Sequence, residues 1–100
     1  MNILLCCSTG MSTSLLVQKM EKEAEFLGLE GRIWSVPMEE VHNHIDEADV
    51  LLLGPQVRFK LTTFQTMGEE RGIPVDVINM TDYGMINGKK VLEHAMHLKE

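Results

Sequence analysis

One hundred residues suffice for one domain with one core, and 44% hydrophobic with 24% charged residues is the balance of a folded chain rather than a disordered one. The net charge of -6 argues against nucleic acid, whose binding runs on phosphate neutralisation, and against an anionic membrane surface. Two cysteines make no disulfide framework, and neighbours on a strand point to opposite faces, so Cys6 and Cys7 read as reduced thiols of a cytoplasmic protein.

The opening "MNILLCC" carries no basic n-region, and its apolar run is far shorter than a bilayer requires, so no membrane insertion is expected. Asn2–Cys6 reads instead as a strand buried on both faces. Ser8 to Thr13 are turn and cap residues. From Ser12 the pattern becomes helical, with Leu15, Leu16, Met20, Ala24 and Leu27 on one face, polar residues between them and a stop at Gly28. Glu30–Val36 alternates and ends at Pro37, as an edge strand would. Met38–Asp46 predicts a weakly helical or irregular link, Asp49–Leu53 the most apolar strand, and Gly54-Pro55-Gln56 a loop. Arg58–Arg71 predicts a helix that stops near Gly72, and Pro74–Ile78 a fourth strand. Asn79–Asn87 predicts a loop around Tyr83-Gly84, and Gly88–Leu98 a closing helix carrying Val91, Leu92, Ala95 and Leu98 in register.

Strand and helix alternate along the whole length. That order predicts an α/β fold: a four-stranded parallel open sheet with right-handed crossovers and helices on both faces. Such sheets bind ligands beyond the carboxyl ends of their strands, near the point where strand order reverses. The segments Cys7–Thr13, Gly54–Val57 and Asn79–Asn87 are therefore expected to converge there.

Cys7 falls between the first strand and the first helix, and seven residues, Ser8 to Ser14, follow before the apolar helix face takes over. This arrangement points backbone N–H groups and a helix N-terminus at one spot, a cradle for an anion and a field that favours thiolate. Ser8, Thr9, Ser12, Thr13 and Ser14 add hydroxyls, and Gly10 permits close backbone approach. A thiol within such a cradle suggests a phosphoryl group carried on sulfur. Cys6, inside the strand, reads as a small core residue. His42 with His44 and His94 with His97 come without the cysteine or acidic partners of a metal site, so no metal is expected.

"CSTGMSTSLLVQKM" (residues 7–20), "ADVLLLGPQV" (48–57) and "VDVINMTDYGMINGKKVL" (75–92) resemble, in order and at natural spacing, the enzyme IIB component of the phosphoenolpyruvate-dependent sugar phosphotransferase system. The branch they resemble is the lactose/cellobiose/diacetylchitobiose family. The resemblance implies one IIB domain over residues 1–100, with a flavodoxin-like or low-molecular-weight tyrosine phosphatase-like sheet. It also implies a transferase in which Cys7 takes phosphate from a phosphohistidine of enzyme IIA. The phosphate then passes to a sugar moving through the membrane component, enzyme IIC, and a β-linked disaccharide such as cellobiose, lactose or diacetylchitobiose fits the family. Ser8, Thr9, Gly10, Met11, Ser12, Thr13 and Ser14 would surround the phosphate. The resemblance further implies a monomer that needs no cofactor and works in the cytoplasm, touching the membrane only through enzyme IIC.

Low-molecular-weight tyrosine phosphatases share the strand–loop–helix but place an arginine six residues after the cysteine. Here that position is Thr13, and no Lys or Arg lies between Cys7 and Ser14. A bidentate arginine would stabilise the transition state for hydrolysis, so its absence suits a carrier. The alternatives are a small cysteine-dependent phosphatase and an anion-binding module. Asp82 stands where a phosphatase keeps its general acid, though a turn or cap role accounts for it as well. Tyr83 is expected to pack on the loop or meet a partner, and Gln56 to bond the loop or shape a turn.

Overall fold

A computed structural model describes residues 1–7 and 10–100, and of residues 10–12 the backbone alone. Its centre is β1 (Ile3–Cys7), five residues without an exposed position. β2 (Ile33–Pro37) pairs on one side of it and β3 (Val50–Leu53) on the other, and β4 (Val75–Val77) closes the far edge. All pairings are parallel and the order is β2-β1-β3-β4, with the expected edge strand at β2. The chain leaves β1 toward β2, then returns across it to β3, so strand order reverses at β1/β3, as in flavodoxin-like sheets.

The two-residue repeat of the pleat divides β1 between two cores. Leu4 and Cys6, with Leu51 and Leu53 of β3, pack against Val41, Ile45, Val57 and Phe64. These come from α2 (Val41–His44), α3 (Leu61–Arg71) and the turns beside them. Ile3 and Leu5, with Val50 and Leu52, pack against Leu16, Met20, Val91, Leu92 and Ala95. Those lie on α1 (Gly10–Phe26) and α5 (Gly88–Lys99). Helices thus cover both faces, and the uninterrupted apolar runs of β1 and β3 follow from burial on two sides.

Several boundaries differ from the sequence expectation for local reasons. β1 runs on to Cys7, which pairs with Pro37 in register. α1 begins at Gly10 rather than Ser12, so Ser12 lies in the first turn of the helix and not at its start. Pro55–Lys60 is a 3₁₀ segment with a kink at Val57 (φ -114°, ψ 19°), so α3 itself starts only at Leu61. The expected Asn79–Asn87 loop contains a short helix, α4 (Met80–Gly84). Asn79 nucleates it: its side-chain oxygen accepts from the N–H groups of Thr81 (2.9 Å) and Asp82 (3.1 Å). The Met38–Asp46 link resolves into two 3₁₀ turns flanking α2.

Candidate active site

The carboxyl end of β1 and the first turn of α1 meet at the strand-order reversal. Cys7, 3% exposed, is the last residue of β1. α1 starts three residues later, and the N–H groups of its first turn, from Gly10 to Ser12, have no acceptor within the helix. They and the helix dipole make the region beyond Cys7 electropositive and suited to an anion. Ser8 and Thr9, and the side chains of Met11 and Ser12, lie outside the described residues, and Gly10 is described by its backbone. Ser14 is exposed at the start of the helix.

Cys6 occupies the opposite environment. Its side chain is fully buried among Leu4, Val36, Leu53 and Val57 in the α3-side core. Burial first, then the neighbouring Cys7 and Glu39, pushes its thiol from an ordinary 9.0 up to about 12. The form that attacks phosphorus is thiolate, and this environment suppresses it at Cys6.

Thr13, at the phosphatase arginine position, is 1% exposed. Its Oγ1 lies 3.0 Å from the Tyr83 hydroxyl, a buried hydrogen bond between the start of α1 and α4. The side chain therefore ties the start of α1 to α4 from inside the fold. Beside it, Gly54 N–H donates to the Cys6 carbonyl at 2.8 Å and joins the end of β3 to the end of β1. A Cβ built on Gly54 would stand 2.7 Å from Gln56 Oε1, 3.4 Å from the Cys6 carbonyl oxygen and 3.5 Å from Tyr83 Cε2. Gln56 and Tyr83 thus close around a bare backbone position next to the cysteine pair, and the described parts of the three expected segments converge.

Asp82 is half-buried in the first turn of α4, where a carboxylate complements the helix dipole. The cap of that helix is Asn79, and the Asp82 carbonyl accepts from Asn87 N–H at 2.8 Å. Asn79 and Gly54 were not singled out from the sequence as site residues. The "INMTD" pattern, an Asn followed by a short polar turn, carried the signal for the first. The glycine of "LLLGPQ" carried it for the second.

Three of the four histidines engage other groups. Trp34 Nε1–H donates to His44 Nδ1 at 3.1 Å, His94 Nε2 lies 2.9 Å from Asp76 Oδ2, and His97 pairs with Glu100. Among the described residues no three His, Cys, Asp or Glu side chains gather as metal ligands, and no helix is long and apolar enough to cross a membrane.

The family model described as "PTS system, Lactose/Cellobiose specific IIB subunit" matches residues 2–94. A Bacillus subtilis protein named as an oligo-beta-mannoside-specific EIIB component is 45% identical over 96 residues, covering 96% of this chain and 93% of its own. Lactococcus lactis proteins named as galactose-specific and cellobiose-specific EIIB components are each 45% identical over 101 residues, covering 96% of this chain and 94% of their own. The solved cellobiose-specific IIB component of Borrelia burgdorferi superposes with a TM-score of 0.80 at 42% identity, over 98% of this chain and 90% of that one. The lactose-specific IIB domain of Streptococcus pneumoniae superposes with a TM-score of 0.90 at 17% identity, over 100% and 98%, a likeness of fold.

Proposed function

The chain belongs to the lactose/cellobiose-specific IIB family of the phosphotransferase system, and from that premise we propose that Cys7 is its phosphate carrier. EIIB components act as phosphotransferases in sugar transport, together with EIIA and a membrane EIIC. In the proposed relay the Cys7 thiolate attacks the phosphorus of a phosphohistidine on enzyme IIA. An S–P bond forms as the P–N bond breaks, and the donor histidine leaves as imidazole after taking up a proton. In the second step a sugar hydroxyl attacks the same phosphorus at enzyme IIC. The new O–P bond replaces S–P, the hydroxyl proton passes to solvent, and Cys7 returns to thiolate.

Transfer of this kind asks for position and charge stabilisation more than for covalent chemistry. The first-turn N–H groups of α1 would hold the equatorial phosphate oxygens, with Ser8 to Ser14 closing around them. The observation that carries the reading is the contrast within one dipeptide. Cys7 ends β1 in front of a helix N-terminus, while Cys6 is sealed in the core with its thiol raised. A phosphatase reading lacks its arginine, and the residue in that place is buried with its hydroxyl on Tyr83. The sugar is taken to be β-linked, with recognition resting on enzyme IIC.

Mass spectrometry tests this after incubation with phosphoenolpyruvate and the upstream phosphotransferase proteins, enzyme IIA included. One phosphate should appear on Cys7, vanish in Cys7→Ser and persist in Cys6→Ala. Turnover of an aryl phosphate without partners, or an adduct that follows Cys6, would overturn the assignment.

A further inference from the structure

A groove of about 600 Å³ opens between α1 and the link from α4 into α5. Lys19, Lys22, Glu23 and Phe26 form one wall; their spacing of three, four and seven residues puts them on a single face of α1. Met85 and Lys89 stand on the other wall. The two walls touch through backbone, since a Cβ on Gly88 would lie 2.6 Å from the Lys19 carbonyl carbon and 2.7 Å from Met20 N. Ile86, between them, holds φ at 52°, a conformation that β-branched residues seldom adopt.

The groove runs against the character of the chain. The chain carries a net charge of -6, yet here three lysines face one glutamate. Phe26 is 83% exposed and Met85 73% exposed, one on each wall. Phe26 and Met85 thus stand exposed on opposite walls of a lysine-lined cleft.

We propose that this groove docks the phosphorylated donor, enzyme IIA, through an acidic segment whose apolar side chain seats between Phe26 and Met85. The inference rests on the relay described above. A donor arriving with a doubly charged phosphate is repelled by a chain of net charge -6, and a local basic cleft offsets that repulsion and steers the encounter. Enzyme IIC has no such need, because it meets the phosphate already on this chain. A concave cleft containing Glu23 suits a protein segment better than a flat anionic lipid surface. The reach also fits: by helix rise, Lys19 to Phe26 lie about 13 to 24 Å along α1 from its start. An interface of about 800 Å² per partner spans roughly 30 Å, which is longer than this stretch of the helix.

Initial rates of Cys7 loading, with phosphorylated enzyme IIA varied at low and high salt, test the proposal. Lys22→Glu should raise KM for the donor about threefold, and Lys19→Glu with Lys22→Glu about tenfold, with kcat held within about twofold and the salt dependence flattened. Phe26→Ala should raise KM by a similar factor at both salt concentrations. Lys99→Glu makes the same charge change at the exposed end of α5 and should leave KM nearly unchanged. Equal effects of Lys22→Glu and Lys99→Glu would reduce the groove to bulk charge and overturn the proposal. So would normal loading with slowed sugar phosphorylation by enzyme IIC. Failure of the unaltered protein to accept phosphate on Cys7 would instead defeat the relay, and this inference with it.

Discussion

Thr13 and Tyr83, seventy residues apart in sequence, share a buried hydrogen bond of 3.0 Å between their hydroxyls. The bond ties the first turns of α1 to α4, so the helix end in front of Cys7 is held by the last loop of the sheet. Tyr83→Phe leaves the Thr13 hydroxyl buried without this partner, which should cost about 1–2 kcal/mol. Thr13→Val removes the other half, and the double variant should be more stable than the sum of the singles by about 1 kcal/mol. Urea denaturation of the four proteins measures this. If Tyr83 acts by positioning the loop, Tyr83→Phe should also lower kcat for Cys7 loading at unchanged KM for the donor, and a purely structural role would leave kcat alone.

That bond shows where sequence reading reaches its limit. The βα order, the parallel sheet and the position of Cys7 were legible, because the apolar runs and turn residues that specify them are local. The meeting of "TDYG" with the cysteine segment was expected from topology, with Tyr83 packing there as one of two alternatives, but Thr13 as its hydrogen-bond partner was not. No local pattern announces that Thr13 turns inward to a tyrosine hydroxyl. α4 was missed because a five-residue helix has too few positions to show a period, and its one strong signal is the Asn79 cap. The contrast between Cys6 and Cys7 was legible from position, Cys6 inside the apolar strand and Cys7 at its junction with the helix.

Gly88 is required by contact and not by backbone conformation. A methyl group there meets the backbone of Lys19 and Met20 at 2.6–2.7 Å, which neither helix can relieve by rotating a side chain. Gly88→Ala should therefore push α5 away from α1 and destabilise the fold by about 1–3 kcal/mol, despite the better helix propensity of alanine. Thermal unfolding reads the loss. A variant as stable as the parent would mean that the α1–α5 approach is looser than described.

Trp34 anchors the edge strand through polar contacts as well as packing. Its Nε1–H donates to His44 Nδ1 at 3.1 Å, and the Arg32 guanidinium sits 4.2 Å from the ring centroid. The indole is 9% exposed, so losing its acceptor leaves a nearly buried donor. His44→Ala should cost about 1 kcal/mol and shift the emission of Trp34, the only tryptophan, in the folded state. Unchanged emission and stability would place this bond among those that contribute nothing.

The raised thiol of Cys6 makes a prediction about alkaline pH whose sign is fixed. With the thiol at about 12 in the fold against 9.0 for an ordinary cysteine, the folded protein keeps a proton that the unfolded chain gives up. Stability from this group is complete below pH 9 and declines as pH rises toward 12, on the order of 1.4 kcal/mol per pH unit. Lysine and tyrosine titrate in the same range, so the test is a comparison. Denaturation midpoints of the parent and of Cys6→Ala should converge as pH rises from 9 to 11, because the variant lacks the proton-linked loss. Parallel declines would show that Cys6 ionises as readily in the fold as outside it, and would remove the electrostatic half of the distinction between Cys6 and Cys7.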